Sequence, residues 1–232
     1  MRKEEIIRLF NDFLKNYDEE TKNIIWKKHS EAFRSFWNDK ILNGSIKEIS
    51  ESEVDQVIRI LDRNGKGNTK ADEAVAKVMI PQGAWRRMFK EIKQHGKLHE
   101  LLNKIFVENN DGVRDKLIDE LYKINEGRKN GLTGKSANAI NTMLFAFNPD
   151  KYTSVVSLND RKKVIDSFGF AGGPDFDNDT AGKKITVSNT VILNGFRALG
   201  LTAHPRTVAI FLYHSPIKDF WKPGEEHSES FQ

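Results

Sequence analysis

Residues 127–164 read GRKNGLTGKSANAINTMLFAFNPDKYTSVVSLNDRKKV, and the rest of the chain can be interpreted as helices that pack around this stretch. It opens with a basic loop that contains several glycines and ends at Lys135. Residues 136–147 then carry almost no charge, and their apolar side chains recur at helical spacing. After a turn at residues 148–150, an apolar strip leads to a basic cluster at residues 161–163. Loop amides at a helix start, followed by cations, favour the binding of phosphate.

Helical spacing also dominates the sequence on both sides of this stretch. Residues 3–16 alternate charged and apolar side chains in the pattern of an amphipathic helix, and Asp18 and Ser50 precede two further helices as capping residues. Residues 184–187 are the best candidate for a short strand. The sequence therefore predicts a mainly α, multi-helix domain with at most a short strand pair.

Glycines and composition suggest where the chain divides. The glycine-rich residues 64–68 predict a flexible loop, so residues 1–64 form either an N-terminal helical subdomain or the first part of one domain. Residues 69–214 are expected to form a helical DNA-binding core. Residues 215–232 are mostly polar, although Phe220 and Trp221 are adjacent aromatic residues, which predicts a linker-like tail and is compatible with a chain cut from a longer protein.

Composition excludes several classes of protein. The 232 residues are 38% hydrophobic and 30% charged, as in soluble proteins, and no apolar run approaches the roughly 20 residues of a membrane span. The absence of cysteine excludes disulfides and thiolate metal sites, and it fits the cytoplasm. Residues 81–170 hold 16 basic against 11 acidic residues, whereas the flanking parts are nearly balanced. This central excess indicates a polyanion as the partner.

Two known patterns share residues with the basic loop. Gly134, Lys135 and Ser136 match the end of a nucleotide-binding P-loop, but that motif needs a glycine at the position of Lys129 and a preceding strand. Residues 129–140, KNGLTGKSANAI, are similar to the helix-hairpin-helix of DNA glycosylases, whose hairpin reads roughly Leu-Pro-Gly-Val-Gly-x-Lys-Thr-Ala-Asn. The resemblance covers about 40 residues. It implies a tight turn that presents backbone N–H groups to a DNA phosphate.

The match is better for phosphate binding than for catalysis. Gly131 occupies the first glycine position, and Lys135 occupies that of the lysine that attacks the sugar in bifunctional glycosylases. Thr133 replaces the second glycine, with Gly134 one place later. The family's aspartate would fall two or three residues before Asp160, where no acid is present. The resemblance therefore favours recognition over catalysis, with a DNA glycosylase or lyase that uses Lys135 and Asp160 as the alternative.

The sequence of residues 132–161 also looks like that of a helical module that accompanies ATPase or nuclease domains in restriction systems. These systems are the relatives of 5-methylcytosine-specific restriction proteins. This resemblance implies a DNA-recognition module of a defence system, with an ATPase or nuclease as a domain or subunit partner. A modified or flipped base would be a further target.

These patterns predict a set of residues for DNA binding. The basic loop would contact phosphate, Tyr152 would stack on a base or sugar, and the basic cluster would extend the positive surface. The predicted residues are Arg128, Lys129, Gly131, Thr133, Gly134, Lys135, Ser136, Tyr152, Arg161, Lys162 and Lys163. A helical scaffold that binds another protein, with the basic region merely solvated, is a further alternative.

The sequence contains no convincing metal site, and we expect neither a metal nor a cofactor. Asp175, Asp177 and Asp179 have the alternate spacing of a calcium loop. However, the glycine and glutamate that the EF-hand needs are replaced by Thr180 and Thr186.

Overall fold

The computed structural model describes residues 1–63 and 74–224, and these residues are mainly helical, as the sequence predicts. The helices are α1 (Lys3–Leu14), α2 (Glu19–Phe36), α3 (Glu51–Leu61), α4 (Gln82–Gln94), α5 (Gly96–Val107), α6 (Asp111–Ile124), α7 (Asn138–Phe147), α8 (Leu158–Phe168), α9 (Ala181–Leu199), α10 (Pro205–Leu212) and α11 (Ile217–Trp221). A π-helical segment (Trp37–Leu42) extends α2, and a 3₁₀ turn (Ile46–Glu48) precedes α3. Within these described ranges the only β pairing is an isolated bridge between Asp62 and Ala76.

The predicted caps at the start of α2 and α3 are confirmed. The Asp18 carboxylate accepts a hydrogen bond from the Thr21 N–H at 3.0 Å. Ser50 and Glu53 form a reciprocal capping box, in which each side chain accepts from the other's backbone N–H at 3.2 Å. These contacts satisfy amides that the first turn of a helix leaves without partners.

Two apolar clusters form the core. The main cluster lies chiefly among α2 to α7 and includes Trp37, Trp85 and Phe89, which are fully buried. The C-terminal cluster joins α1 to α8, α9, α10 and α11. The boundary expected near residue 64 does not separate the two clusters, because α2 and α3 pack with the helices that follow while α1 packs with the C-terminal helices.

The start of the linker-like tail predicted from residue 215 is instead a helix packed on the core. Residues 217–221 form α11, and Ile217 and Trp221 are buried in the C-terminal cluster. The Trp221 indole N–H donates to the Leu212 carbonyl at 2.7 Å. Apolar side chains at helical spacing thus hold the start of this polar segment against the core, and residues 225–232 lie outside the described residues.

The strand predicted at residues 184–187 is wrong, because these residues belong to α9. The β-branched run favours a strand locally, but α9 packs closely against α6. A Cβ on Gly182 would lie 2.0 Å from the Asp115 carbonyl oxygen, so only glycine permits this approach of the two helices. The Gly182 N–H also donates to the Asp119 carboxylate at 2.8 Å. Tertiary packing therefore overrides the local preference.

Asp62 anchors the return of the chain after α3. Its fully buried carboxylate accepts from the backbone N–H groups of Val78 and Ile80, each at 3.0 Å, and from the indole N–H of Trp85 at 3.1 Å. Residues 74–80 are thereby held beside the end of α3 in the main cluster. The flexible loop expected at residues 64–68 lies outside the described residues.

Among residues 1–63 and 74–224, none of the helices combines the length and the apolar character needed to cross a lipid bilayer.

Candidate nucleic-acid interface

The hairpin loop, residues 125–137, connects α6 to α7 and is held in shape by two buried asparagines. The Asn125 side-chain amide donates to Asn130 Oδ1 at 3.0 Å, and the Asn130 amide donates back to Asn125 Oδ1 at 2.8 Å. Asn125 also donates to the Thr133 hydroxyl at 2.7 Å. The Leu132 N–H donates to Asn130 Oδ1 at 3.0 Å. This network fixes the two halves of the loop against each other before any ligand binds.

An apolar anchor and a tyrosine attach the loop to the helices. The Leu132 side chain is fully buried in the main cluster. The Tyr122 hydroxyl donates to the Gly134 carbonyl at 3.0 Å. Gly131 has a φ of 76°, in the left-handed region that glycine adopts readily. The loop is therefore a formed structure with a buried base and an exposed tip.

Several backbone amides at the tip take no part in the internal network. Among the described residues, no hydrogen bond is formed by the backbone N–H groups of Gly131, Thr133, Gly134, Lys135 and Ser136. Gly131, Gly134 and Lys135 are exposed to solvent. Exposed, unused backbone donors next to a helix start are the usual means by which proteins hold a phosphate oxygen.

The cations of the loop differ in their partners. Lys129 and Lys135 are exposed, and neither makes an ion pair within the part of the chain that the structure describes. Arg128 instead contacts α4, where its guanidinium lies 3.3 Å from a Glu91 carboxylate oxygen and 2.9 Å from His95 Nε2. Lys129 and Lys135 are thus the loop cations that remain available to an incoming anion.

The start of α8 lies against the loop, since the Leu158 N–H donates to the Ser136 carbonyl at 3.0 Å. This contact brings the predicted basic cluster near the hairpin, but Arg161 faces inward and is only 1% exposed. Its guanidinium donates to the Val155 carbonyl at 2.7 Å, the Ile185 carbonyl at 2.9 Å and the Ser188 hydroxyl at 3.2 Å. Burial lowers the pKa of Arg161 to about 9, so the group is still charged at neutral pH. The expectation that Arg161 contacts DNA is therefore wrong, because its donors are used to join α8 to α9.

The two lysines of the basic cluster are exposed. Lys162 forms an ion pair with Asp166 at 3.0 Å, and this hydrogen bond raises the pKa of Lys162. Its ammonium also lies 5.7 Å from the centre of the Phe176 ring. Part of the positive potential of Lys162 is therefore compensated locally.

Tyr152 does not present its ring to solvent. It is only 4% exposed, and the Arg114 guanidinium lies 5.6 Å from the ring centre. Burial raises the pKa of Tyr152 to about 12, and its hydroxyl has no hydrogen-bond partner among the described residues. This burial contradicts the predicted stacking on a base or sugar, because the Tyr152 ring, which follows the turn at residues 148–150, packs inside the protein.

Lys135 and Asp160, the catalytic residues of the glycosylase alternative, do not contact each other through a hydrogen bond or an ion pair between their described atoms. No hydrogen bond or ion pair in residues 1–63 and 74–224 links Lys135 to Asp160. Asp160 accepts from the Tyr213 hydroxyl at 2.8 Å and pairs with Lys222 at 3.1 Å. Its carboxylate thus fastens the C-terminal segment to α8, and this role accounts for an acid at that position.

The acidic loop that resembles a calcium site is closed on itself. The Asp175 carboxylate accepts from the N–H groups of Asp177 at 2.9 Å and Asn178 at 3.1 Å, while Asp179 pairs with Lys183 at 2.8 Å. No group of three or more metal-ligating side chains occurs in the described residues.

Sequence reasoning missed the supporting residues of the hairpin. Tyr122 lies in α6, and Asn125 directly follows this helix. Asn130 occupies the position at which the glycosylase family has proline. Asn130 beside Gly131 was the available signal, since an asparagine side chain often accepts from the backbone N–H two residues later in a turn, as Asn130 does from Leu132.

Comparisons with known proteins identify no relative: no family model, no curated protein and no solved structure matches this chain.

Proposed function

We propose that this chain is the DNA-recognition module of a restriction or defence protein and that it holds the DNA backbone at the hairpin loop. The observation that carries the proposal is the set of unused amides of Gly131, Thr133, Gly134, Lys135 and Ser136. Lys129 and Lys135 lie beside them, exposed and without an ion pair to any described residue. A phosphate seated at the tip would accept from these amides and face both ammonium groups.

The fixed shape of the loop supports this function. Asn125, Asn130 and Leu132 order the loop in the protein alone, so little conformational entropy is lost when a phosphate binds. Lys162 and Lys163 extend the positive surface from α8, with Lys162 weakened by Asp166. Such contacts position a duplex without reading its sequence. A modified or flipped base, an ATPase or nuclease partner and a cytoplasmic location are finer parts of the same proposal.

Fluorescence anisotropy with labelled duplex and single-stranded DNA, over a series of salt concentrations, tests the proposal. The Lys129→Gln/Lys135→Gln variant is expected to weaken DNA binding by roughly tenfold at low salt. It is also expected to reduce the slope of log affinity against log salt concentration by about 2, since each lysine releases counterions from one phosphate.

The matched control is Lys27→Gln/Lys28→Gln, which removes the same charge from exposed positions on α2. That helix contacts the end of α7 opposite the hairpin, through the Ser30 hydroxyl and the Phe147 carbonyl. Equal losses of DNA affinity in the two variants would show that affinity depends on net charge alone and not on the hairpin loop. No binding of wild-type protein to any DNA would favour the protein scaffold, and a borohydride-trapped adduct on abasic DNA that Lys135→Gln abolishes would show the lyase.

A further inference from the structure

Helix α4 carries four cations, and three of them are committed to neighbouring elements. Arg86 pairs with Asp55 and Lys90 pairs with Glu51, and both acids lie on α3. The Lys93 ammonium donates to a backbone carbonyl of the π-helical segment at 2.7 Å. These three side chains therefore hold α4 against its neighbours.

Arg87 is the exception among these four cations. It is exposed, and its guanidinium forms neither a hydrogen bond nor an ion pair within residues 1–63 and 74–224. A Cβ built on Gly83 would lie 3.6 Å from Arg87 Nη1, so the side chain extends back toward the first turn of α4. The N–H donors of this guanidinium are therefore unused within the described part of the chain.

An acid one turn further along α4 would be the usual partner of Arg87. Glu91 stands four residues after Arg87, which is the spacing at which opposite charges pair on a helix. The Glu91 carboxylate instead lies 3.3 Å from the Arg128 guanidinium of the hairpin loop and 3.9 Å from His95 Nε2. Arg128 thus supplies the ion pair within the protein, and Arg87 keeps its charge for a partner outside it.

The hairpin loop lies along one side of α4. A Cβ built on Gly131 would lie 3.5 Å from the Met88 methyl carbon, so the tip of the loop rests on the second turn of the helix. The contact of Arg128 with Glu91 fixes the start of the loop one turn further along. Met88 and Glu91 are three residues apart and share this side of α4.

Arg87 borders this contact on the side that faces solvent. Successive residues of a helix are turned by about 100°, which places Arg87 and the buried Trp85 on opposite flanks of the side that carries Met88 and Glu91. Arg87 also directly precedes Met88, the residue on which Gly131 rests. The Arg87 guanidinium and the unused Gly131 N–H therefore adjoin on one surface.

We propose that Arg87 is a further contact to the DNA backbone and that it binds a phosphate next to the one held at the hairpin tip. The contact presupposes the DNA-binding function proposed for the hairpin loop, and it extends the DNA-facing surface of the protein onto α4. A guanidinium with unused donors can hold two phosphate oxygens at once. Such a contact orients the duplex across α4 without reading its sequence.

Fluorescence anisotropy on the full chain with a labelled DNA duplex, over a series of salt concentrations, tests the contact. Arg87→Gln is expected to weaken binding roughly fivefold at low salt and to reduce the slope of log affinity against log salt concentration by about 1. Arg87→Lys keeps the charge and should restore the slope of the wild-type protein.

The matched control is Arg197→Gln, which removes an exposed arginine near the end of α9. Among the described residues the Arg197 guanidinium contacts the Asn194 side chain at 3.4 Å and no acid. This end of α9 lies beside α1, where the Lys3 ammonium donates to the Ala198 carbonyl at 3.3 Å. The DNA affinity of Arg197→Gln is expected to stay within twofold of the wild-type value.

Site-specific crosslinking locates the contact without relying on affinity. The chain contains no cysteine, so Arg87→Cys provides a single attachment point for a thiol-specific photo-crosslinker. Irradiation in the presence of the labelled duplex is expected to give a covalent protein–DNA adduct from position 87 and none from Arg197→Cys.

The outcomes separate this contact from the hairpin function. If Lys129→Gln/Lys135→Gln loses affinity while Arg87→Gln stays within twofold of the wild-type protein, the Arg87 contact is overturned and the hairpin function stands. A loss in Arg87→Gln alone would keep the DNA contact on α4 and refute the hairpin. A salt slope that Arg87→Lys does not restore, or the absence of an adduct from position 87, would also overturn the contact. If the wild-type protein binds no DNA, both proposals fall.

Discussion

The two basic regions of this protein resemble each other in sequence and differ in the folded chain. The hairpin loop carries Lys129 and Lys135, exposed and without ion pairs among the described residues. The basic cluster of α8 carries Arg161, which is buried, and Lys162, which is paired with Asp166. A run of cations in the sequence therefore predicts a positive surface only where the fold leaves the charged groups exposed to solvent.

The physical cause of the difference lies in the local structure. The hairpin loop turns at Gly131 in the left-handed region, and Lys129 and Lys135, which precede and follow this turn, are exposed. A helix turns its residues by about 100° each, so three consecutive cations on α8 point in different directions and one of them faces α9. Arg161 is tolerated there because two carbonyls and a hydroxyl accept its donors.

The largest effect is expected from Arg161→Met. The substitution removes the buried donor to the Val155 carbonyl, the Ile185 carbonyl and the Ser188 hydroxyl, and the free energy of unfolding should fall by about 3 kcal/mol or more. Urea denaturation measures it. Lys163→Met, an equivalent change on the exposed side of the same helix, should alter it by about 0.5 kcal/mol at most. Equal urea midpoints for the two variants would show that Arg161 does not stabilise the fold.

A smaller effect is expected from Lys162→Gln/Lys163→Gln on DNA affinity. Because Asp166 already compensates Lys162, this pair should weaken binding by about two- to threefold at low salt, clearly less than Lys129→Gln/Lys135→Gln. Anisotropy titrations of both double variants under the same conditions check the ranking. A reversed order would place the main contact on α8 and not on the hairpin.

The smallest effect at neutral pH is expected from Tyr152→Phe. The buried hydroxyl has no partner among the described residues, so its removal should leave the free energy of unfolding unchanged or raise it by up to about 1 kcal/mol at pH 7. DNA affinity should also stay the same, since the ring is buried. Urea denaturation and anisotropy measure the two quantities. A loss of affinity with unchanged stability would restore the stacking role.

The pH dependence of the same variant has a defined sign. Burial raises the pKa of Tyr152 to about 12, whereas an unfolded tyrosine loses its proton near pH 10. The unfolded chain therefore holds fewer protons than the folded one between these values, and stability falls as pH rises from about 10 to about 12. Tyr152→Phe should make this fall less steep. Burial also raises the pKa of Tyr122 to about 12. Tyr122 therefore contributes to the loss of stability at high pH in both the wild-type protein and the variant.

The fold class could be predicted from spacing because amphipathic helices record their buried face every three or four residues. Helical spacing aligns Trp85, Met88, Phe89 and Ile92 on one face of α4, and all four are buried. The start of α9 could not be predicted, because it depends on the close contact of Gly182 with α6, which involves residues far away in sequence. The helix at residues 217–221 could not be predicted for the same reason, since only the folded C-terminal cluster provides a surface for Ile217 and Trp221.

The pattern of residues is sufficient to predict that this chain is helical, where most helices lie, and that cations gather around the hairpin. These properties are local, because they depend on side-chain periodicity, caps and glycines within one or two turns. Three further properties depend on the folded chain: which cations remain exposed, the binding of Asp160 by Tyr213 and Lys222, and a cavity between α1 and α10. Burial and pairing arise from contacts between distant segments, and no local pattern encodes them.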